Sequence, residues 1–537
     1  MNKRNIFLPL IIALSVVAGI FIAGLMTHDN RSMFANEQAK SNKLNAMLDF
    51  ISENYVDTVS KANIIEQAIP KFLEQLDPHS VYIPAEDLKA MNEPLEGSFE
   101  GIGIQFNMKN DTLQVLHIIS GGPSQKAGLL PGDQIINVDD TIIAGVDIST
   151  QVVMKKLKGE KGSTVKVGVL RRGNDDLIYF EIIRDKIPIF SVDVAYMPTS
   201  NIGYIKISSF SHTTYNEFIE AVSLLKTQGM KKLILDLRSN TGGIMDAATK
   251  IADEFLPSGK MIVYTQGRKH GKIKTLSTDD YHRCVDLDLA VLIDEFSASA
   301  SEIVAGAIQD NDRGWIIGHR SFGKGLVQEP VQFDDGSALR LTIARYYTPA
   351  GRCIQKDYGN DLDDYYSDII NRYANGELSS VDSTYFNDSL KYYTSNGRVV
   401  YGGGGIMPDI FVPIDTSMND LYFKIRNQNL VYEFAFEYTR SQRDELNQYT
   451  NTKSLESYLT SQKVFNEFTE FVNSSGIEFS EQEMSEAKQY IEVQLYASIA
   501  RNMLNDEGFY PVIHQIDDDF LKAKAILESN QEISKEI

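Results

Sequence analysis

The stretch LAVLIDEFSASASEIVAGAIQD, residues 289–310, joins an apolar run to a helix-forming segment through a serine-rich turn. Its first residues are aliphatic, as in a buried strand, and residues 301–310 place small and apolar side chains at helical spacing. A serine at such a junction presents its hydroxyl near a helix N-terminus, where backbone N–H groups and the helix dipole stabilise negative charge. The stretch therefore predicts a strand–helix unit that carries a candidate nucleophile among Ser297, Ser299 and Ser301.

A second interpretation of the same residues is purely structural. Ser299 and Glu302 match the Ser-x-x-Glu capping box, in which both side chains satisfy N–H groups at the start of a helix. The two interpretations are compatible, since a nucleophile can occupy an N-cap position. This segment alone leaves both open.

Strands and helices alternate on both sides of this stretch, between residues 201 and 350. The strand KLILDLR (232–238) precedes the helix GIMDAATKIADEFL (243–256), and the strand WIIGH (315–319) follows the serine-bearing unit. This alternation is typical of an α/β core with a largely parallel sheet. The segment DLRSNTGG ends in Gly242 and Gly243, which would let the backbone approach a ligand and direct N–H groups toward it. A simple strand-to-helix turn is the alternative.

The segment GHRSFGKG, residues 318–325, is close to a phosphate-binding loop, but Gly325 stands where Ser or Thr would hold magnesium. The alternating residues that follow it predict a strand instead of a helix, which argues against nucleotide binding. The remaining feature is Lys324 between two glycines. If Lys324 is buried beside Ser299, desolvation would lower its pKa, and the neutral amine could take the serine proton. A surface lysine in a turn and a Ser–His pair with His319 are the alternatives.

Composition excludes several classes of protein. The 537 residues correspond to about three or four domains. With 52 basic and 73 acidic residues, the net charge of −21 disfavours binding to nucleic acid. Only Cys284 and Cys353 occur, which excludes a disulfide scaffold and a cysteine-based zinc site. We expect neither a metal nor an organic cofactor.

The N-terminus predicts export. Lys3 and Arg4 precede an apolar run that extends to Met26, long enough to cross a bilayer once as a helix. We expect residues 1–26 to be a signal anchor in the cell membrane, with the catalytic body on the extracytoplasmic (periplasmic) side. A long cleaved signal peptide is the alternative. Residues 27–95 should form a linker followed by a helical region.

Three further regions differ in composition. Residues 96–188 alternate short β-rich runs with glycine turns and resemble a PDZ domain, which binds a C-terminal peptide as an added strand. We expect Gly101, Ile102, Gly103 and Ile104 to form the loop and first strand that bind the peptide, with a module used only for packing as the alternative. The core would span 189–417, with a surface insertion at about 357–395, and residues 418–537 should form a helical region.

The order of these segments resembles the C-terminal processing peptidases, also called tail-specific proteases. The resemblance covers about residues 45–415 and rests on LDPHSVYIP, the PDZ-like module, DLRSNTGG, SASASE, FGKGLVQ, RYYTPAGRCIQ and GGGGIMPD, in that order. It implies a ClpP/crotonase-like α/β protease core with an inserted PDZ domain. It also implies a serine endopeptidase that recognises and cleaves protein or peptide substrates near their C-termini.

By motif position, the resemblance implies a nucleophile at Ser299, a general base at Lys324 and a supporting Gln328 that orients the lysine amine. It places the oxyanion hole at the backbone N–H groups of Ala300 and of the pair Gly242 and Gly243. Family members often carry Asn and Gly where this chain has residues 294–296, Asp-Glu-Phe. An inactive PDZ scaffold and a crotonase-type acyl-CoA enzyme remain as alternatives, and a homo-oligomer or an adaptor is left open.

Overall fold

The computed structural model describes residues 43–119, 121–269, 271–358, 362–380, 388–416 and 418–529. The predicted anchor at residues 1–26 lies outside them. Within the described ranges, no helix has both the length and the apolar character needed to cross a membrane. The chain divides into two compact units, residues 1–84 and 85–537.

The first unit contains two helices and a short strand. They are α1 (43–54), α2 (Lys61–Leu73) and β1 (Val81–Ile83). The Ser60 hydroxyl accepts a hydrogen bond from the amide of Asn63 and so caps α2, and an ion pair of 2.5 Å joins Lys61 to Asp49. The predicted helical region before the β-rich module is therefore confirmed.

The second unit begins with α3 (Ala85–Glu96) and a β-rich module. The elements of the module are β2 (Ser98–Gly101), β3 (Ile104–Lys109), β4 (Thr112–Ile118), α4 (Pro123–Ala127), β5 (Gln134–Val138), β6 (Thr141–Ile142), α5 (Thr150–Leu157), β7 (Thr164–Leu170), β8 (Ile178–Ile183) and β9 (Asp185–Pro188). An antiparallel sheet has the order β3-β4-β5-β7-β8, and β2 pairs with β9. Val165, Val167 and Val169 all point into the core, as the two-residue period of a strand requires.

The α/β core follows the module. It comprises β10 (Val192–Tyr196), β11 (Ile202–Ile207), α6 (Thr214–Thr227), β12 (Lys232–Asp236), α7 (Met245–Phe255), β13 (Met261–Gly267), β14 (Gly271–Leu276), β15 (Asp288–Ile293), α8 (Ala300–Asp310), β16 (Trp315–Gly318), β17 (Leu326–Gln332), β18 (Ala338–Tyr347), α9 (Leu362–Ala374), β19 (Lys391–Tyr393), β20 (Val399–Tyr401) and β21 (Ile410–Phe411). A six-stranded sheet has the order β10-β11-β12-β15-β16-β21 and is parallel except between β10 and β11. A second, antiparallel sheet contains β17, β18, β13 and β14.

Both faces of the six-stranded sheet are covered. Helices α6, α7 and α8 contribute buried side chains to one core, and the other face packs against residues near the C-terminus, such as Phe520. Strands β12 and β15 therefore consist almost entirely of buried residues, which is why the sequence shows continuous apolar runs there.

The C-terminal region is helical, as predicted. Its helices are α10 (Asp420–Asn427), α11 (Leu430–Ser441), α12 (Arg443–Leu446), α13 (Thr452–Ser461), α14 (Val464–Ser474), α15 (Glu481–Ile513) and α16 (Asp518–Ser529). Residues from α10 to α15 form a hydrophobic core of their own around Phe468, Leu495 and Ile499. Helix α15 contains one non-helical residue, Asn505, at which its direction changes.

Candidate active site

The carboxyl ends of three neighbouring parallel strands bring the predicted site segments to one edge of the sheet. Strand β12 continues into residues 237–243, β15 into residues 294–299, and β16 into residues 319–325. Because parallel strands all end at the same edge, these loops lie side by side, at the position where open α/β sheets bind ligands. The structure thus groups the serine, lysine and glycine segments that are far apart in sequence.

Ser299 has a strained backbone at the N-cap of α8. Its φ is 54° and its ψ is −110°, a region that residues with a side chain rarely adopt. The preceding turn is held by Asp294, whose carboxylate accepts the amide of Ser297 at 2.9 Å, while the amide of Ala298 donates to the Asn240 carbonyl at 2.9 Å. Strain of this kind persists only where neighbouring contacts fix it, and it is concentrated at functional sites.

The carboxylate of Glu302 connects the serine turn to the lysine loop. It is fully buried and accepts hydrogen bonds from the amide of Ser299 (2.8 Å), the amides of Lys324 (2.8 Å) and Gly323 (2.7 Å), and the hydroxyl of Ser321 (2.6 Å). Burial raises the pKa of Glu302, although all four donors favour the ionised form. The amide nitrogens of Ser299 and Lys324 share Oε2, so they are separated by no more than the length of two hydrogen bonds.

Lys324 lies in a loop whose conformation requires glycine on both sides of the lysine. Gly323 has a φ of +89°, and a Cβ on Gly325 would come within 2.9 Å of the amide nitrogen of Gln355. The hydroxyl of Tyr346 hydrogen bonds both the Ser299 carbonyl, at 2.8 Å, and the Lys324 carbonyl. Tyr346, which the sequence analysis did not single out, is therefore a second link between the serine and lysine segments.

Gln328 lies four residues after the lysine, on β17. The pairing register of β17 with β18 shifts between Val327 and Gln328, where the extra residue, Ile343, lies on β18. Irregularities of this kind are common beside active sites. Both Lys324 and Gln328 are partly buried.

The glycine loop contacts the serine directly. A Cβ on Gly242 would lie 2.7 Å from the Cβ of Ser299 and 3.0 Å from the amide nitrogen of Ala300, so only glycine fits there. The amide of Gly242 donates to Asn240 Oδ1 at 2.9 Å and is therefore already engaged. The amides of Ala300 and Gly243 donate to no other residue in the part of the chain that the structure describes. Of the three predicted oxyanion donors, these two remain available.

His319 has both ring nitrogens occupied. Its Nδ1 lies 3.2 Å from Glu295 Oε2, and its Nε2 lies 2.7 Å from the carbonyl oxygen of Val412. The hydroxyl of Tyr373 also donates to Glu295, at 2.5 Å. Burial opposes ionisation of Glu295, but these two hydrogen bonds lower its pKa to about 2. A histidine held in this way is structural, which disfavours the Ser–His alternative.

Helix α9, in the predicted insertion, supports the lysine loop. Arg372 is 1% exposed, and its Nη1 donates to the carbonyls of Ser321 (3.0 Å) and Arg320 (3.2 Å). The next residue, Tyr373, reaches the serine turn through Glu295. Most of α9 is exposed, as expected for a surface insertion, but Arg372 packs inward against the lysine loop. The polar composition of residues 357–395 gave no signal that one arginine would be buried.

The PDZ-like loop is ordered by contacts to its carbonyls. The amide and hydroxyl of Ser124 donate to the Ile102 carbonyl at 3.0 Å and 2.7 Å, and the amide of Ile119 donates to the Gly103 carbonyl at 3.1 Å. Because trans peptide units point N–H and C=O in opposite directions, the amides of Gly103 and Ile104 face away from these contacts. The side chain of Ile102 is 2% exposed and belongs to the module's core.

Comparisons with known protein families match three segments of the chain. Residues 201–363 match peptidase family S41, residues 101–182 match the PDZ domain, and residues 421–505 match DUF8443, a family of unknown function. The predicted fold class, an α/β protease core with a PDZ domain and helical regions before and after it, is confirmed.

Curated relatives give the same result. The chain is 37% identical over 347 residues to a carboxy-terminal-processing protease of Bartonella bacilliformis, covering 63% of this chain and 79% of the relative. It is 34% identical to the carboxy-terminal processing protease CtpA of Bacillus subtilis, covering 70% of this chain and 83% of the relative.

Two solved structures are also similar. The photosystem II D1 C-terminal processing protease is 28% identical, with a TM-score of 0.33, and covers 59% of this chain and 93% of its own. The PDZ domain of a Vibrio cholerae carboxy-terminal protease, solved with a peptide, is 36% identical, with a TM-score of 0.16, and covers 17% of this chain and 97% of its own. The family match and the identity to curated relatives establish that the chain belongs to the carboxy-terminal processing proteases of peptidase family S41 and is a serine-type peptidase.

Proposed function

We propose that this chain is an exported endopeptidase that cleaves protein substrates near their C-termini, with Ser299 as nucleophile and Lys324 as general base. The observation that carries the proposal is the buried carboxylate of Glu302, which accepts the backbone N–H groups of both residues. This carboxylate fixes the two segments at short range. The strained φ of Ser299 argues against the inactive-scaffold alternative, because a capping serine needs no such strain.

The proposed reaction proceeds by acylation and deacylation. The Ser299 hydroxyl attacks the scissile carbonyl while the neutral amine of Lys324 takes its proton. The oxyanion is stabilised by the amides of Ala300 and Gly243, with Gly242 giving the close approach of backbone that this geometry needs. The protonated Lys324 then gives its proton to the leaving amine and later activates the water that hydrolyses the acyl-enzyme. Gln328 is proposed to orient the lysine amine.

We propose that the PDZ domain selects the substrate by its free C-terminus. The amides of Gly103 and Ile104 point opposite to the carbonyls that Ser124 and Ile119 bind, and they would hold the terminal carboxylate, with β3 pairing to the peptide as an added strand. Gly101 lets the backbone pass close to Phe99 where the loop begins, since a Cβ at this position would lie 3.2 Å from the Phe99 ring. The buried side chain of Ile102 would support this loop by packing into the domain core. It would not contact the peptide directly.

Export rests on the apolar run before residue 27 and its basic start, as the sequence analysis set out. We propose that residues 1–26 anchor the chain in the cell membrane with the peptidase outside the cytoplasm.

The first prediction concerns the base. Lys324→Arg should lower peptidase activity about 10²–10⁴-fold without loss of folding, because a guanidinium cannot be deprotonated and so cannot accept the serine proton. Lys89→Arg, at an exposed lysine, is the matched control and should leave activity unchanged. The measurement is turnover of a fluorogenic peptide, with Ser299→Ala as the inactive reference. Retention of more than about a tenth of wild-type activity by Lys324→Arg contradicts the assignment.

The second prediction concerns Glu302. Glu302→Gln should lower the free energy of unfolding by about 2 kcal/mol or more. The new NH₂ group would face backbone N–H groups, and it cannot accept hydrogen bonds from them. Activity should fall with it. The control is Glu483→Gln, the same change at the same helix position in the exposed capping box of α15, which should cost about 0.5 kcal/mol. If urea unfolding shows the same decrease in the free energy of unfolding for both variants, Glu302 only caps a helix.

The third prediction concerns the PDZ domain. A substrate tail with a free carboxylate should bind roughly 5- to 150-fold more tightly than its C-terminal amide, since unpaired loop donors cost about 1–3 kcal/mol. Isothermal titration with the two forms of one peptide measures this directly. Identical affinities would refute carboxylate recognition and leave a packing role for the module.

The fourth prediction concerns location. Protease added to intact spheroplasts should digest the catalytic body, while undigested chain sediments with the membrane fraction. A body protected from the protease would reverse the proposed topology, and a soluble form starting after residue 26 would show that the segment is cleaved.

A further inference from the structure

The guanidinium of Arg238 is held from two sides. Arg238 lies two residues after the end of β12 and precedes the glycine loop of the site. On one side its Nε lies 3.0 Å from Asp236 Oδ2, and its Nη2 lies 2.6 Å from the same oxygen. On the other side Nη1 and Nη2 form a bidentate pair with Asp517, at 2.8 Å and 2.7 Å, and Nη1 also donates to Asp519 at 3.1 Å.

The partners on the second side come from the far end of the chain. Asp517 and Asp519 lie in and just after the turn that joins α15 to α16. Among the described residues, Nη1 donates only to Asp517 and Asp519. Asp236 accepts from Nε and Nη2 instead. The C-terminal turn therefore supplies hydrogen bonds to Arg238 that the catalytic core does not.

The charges around Arg238 balance only when the turn is present. Arg238 and Lys206 are two mostly buried cations, with side chains 17% and 9% exposed, and Asp236 is the carboxylate of the core that pairs with both. Burial opposes ionisation of Asp517, yet Arg238 holds its pKa below the ordinary value, so Asp517 is the second anion. Without Asp517 and Asp519, two cations would share one carboxylate in a poorly solvated place, which is costly.

Arg238 in turn sets the start of the glycine loop. The carbonyl of Arg238 accepts a hydrogen bond from Lys206, and the chain turns at the next residue, Ser239, where φ is +57°. The amide of Ser239 donates to Asp294 at 2.8 Å, the same carboxylate that holds the serine turn. A shift of Arg238 would therefore displace Gly242, which packs so closely against Ser299 that even a Cβ would not fit between them.

The turn itself is rigidly attached to the sheet. His514 stacks on Phe520 with ring centroids 3.8 Å apart, and its Nδ1 lies 2.6 Å from the hydroxyl of Tyr196 on β10. Farther along α16, the Leu527 carbonyl accepts Lys232 Nζ at 2.6 Å. Lys232 begins β12 and Arg238 follows its end, so α16 is fastened near both ends of that strand.

We propose that Asp517, assisted by Asp519, is a positioning residue of the peptidase site that acts through Arg238 on the loop 239–243. The C-terminal helical region is then required for turnover and not only for stability. This inference rests on the proposed function, since it assigns the loop a role in stabilising the oxyanion. Because that interaction exists only in the transition state, its loss lowers kcat and leaves KM nearly unchanged.

The test compares Asp517→Asn with Asp518→Asn in the full chain. Asp517→Asn places an amide NH₂ against the guanidinium and should lower kcat about 10- to 100-fold, as misplacement of a catalytic loop by a fraction of an ångström does. Asp518→Asn changes the neighbouring exposed aspartate, for which the structure gives no contact with Arg238, and should behave as wild type. Asp517→Glu, which keeps the charge, should recover part of the lost kcat.

A second readout does not depend on catalysis. Hydrogen exchange measured by mass spectrometry should become faster in peptides covering residues 239–243 in Asp517→Asn and stay unchanged in the PDZ strand β7. If Asp517→Asn does not fold, Asp519→Asn removes the charge from a single 3.1 Å contact and should show the same pattern with a decrease of about 3- to 10-fold.

The outcomes separate the two levels of the argument. An active wild type, an inactive Ser299→Ala and an Asp517→Asn with wild-type kcat and exchange would overturn the inference and leave the proposed function intact. A Ser299→Ala as active as wild type would overturn the proposed function, whatever Asp517→Asn does. An Asp517→Asn in which KM rises and kcat is unchanged would also overturn the inference.

Discussion

The buried carboxylate of Glu302 is the interaction on which the arrangement of the site depends. A carboxylate that loses its water needs replacement donors, and four are supplied by two separate loops of the chain. Satisfying Glu302 therefore forces the turn before α8 and the loop around Lys324 into one geometry. The capping and catalytic interpretations of Ser299-x-x-Glu302 are compatible, because the glutamate accepts the N-cap amide and also the amides of the lysine loop.

The same principle recurs around the site. Asp294 accepts amides from its own turn and from Ser239, and so joins the serine turn to the glycine loop. Asp517 joins Arg238 to the C-terminal helices. In each case an acidic side chain bridges backbone or guanidinium donors from elements that the sheet brings together. Such a frame explains how Ser299 keeps an unfavourable φ: the contacts on either side of it leave the backbone no lower-energy alternative.

Local sequence patterns predicted the elements of this protein well, because periodicity and turn residues act over short distances. The strand, turn and helix around Ser299, the strand after Lys324 and the helical C-terminal region were all found as expected. The resemblance added the roles of the site residues, which spacing alone left open.

The long-range contacts could not be predicted. Arg372 and Asp517 look like surface residues in polar segments, and only the folded chain shows that they satisfy groups from distant segments. The occupied amide of Gly242 and the buried side chain of Ile102 likewise depend on tertiary packing, by Asn240 and by the core of the PDZ domain. The inward contacts of Arg372 on α9 were missed for the same reason, since one buried arginine does not alter the composition of an insertion.

The central claim is that Ser299 is a nucleophile activated by Lys324, and covalent labelling tests it most directly. The protein would be treated with a fluorophosphonate, which reacts with activated serines, and the adduct located by tandem mass spectrometry. The account predicts one adduct, on Ser299, in the wild-type chain, and labelling slowed by at least about a hundredfold in Lys324→Arg. An adduct at another residue, or equal labelling of both proteins at Ser299, would contradict it.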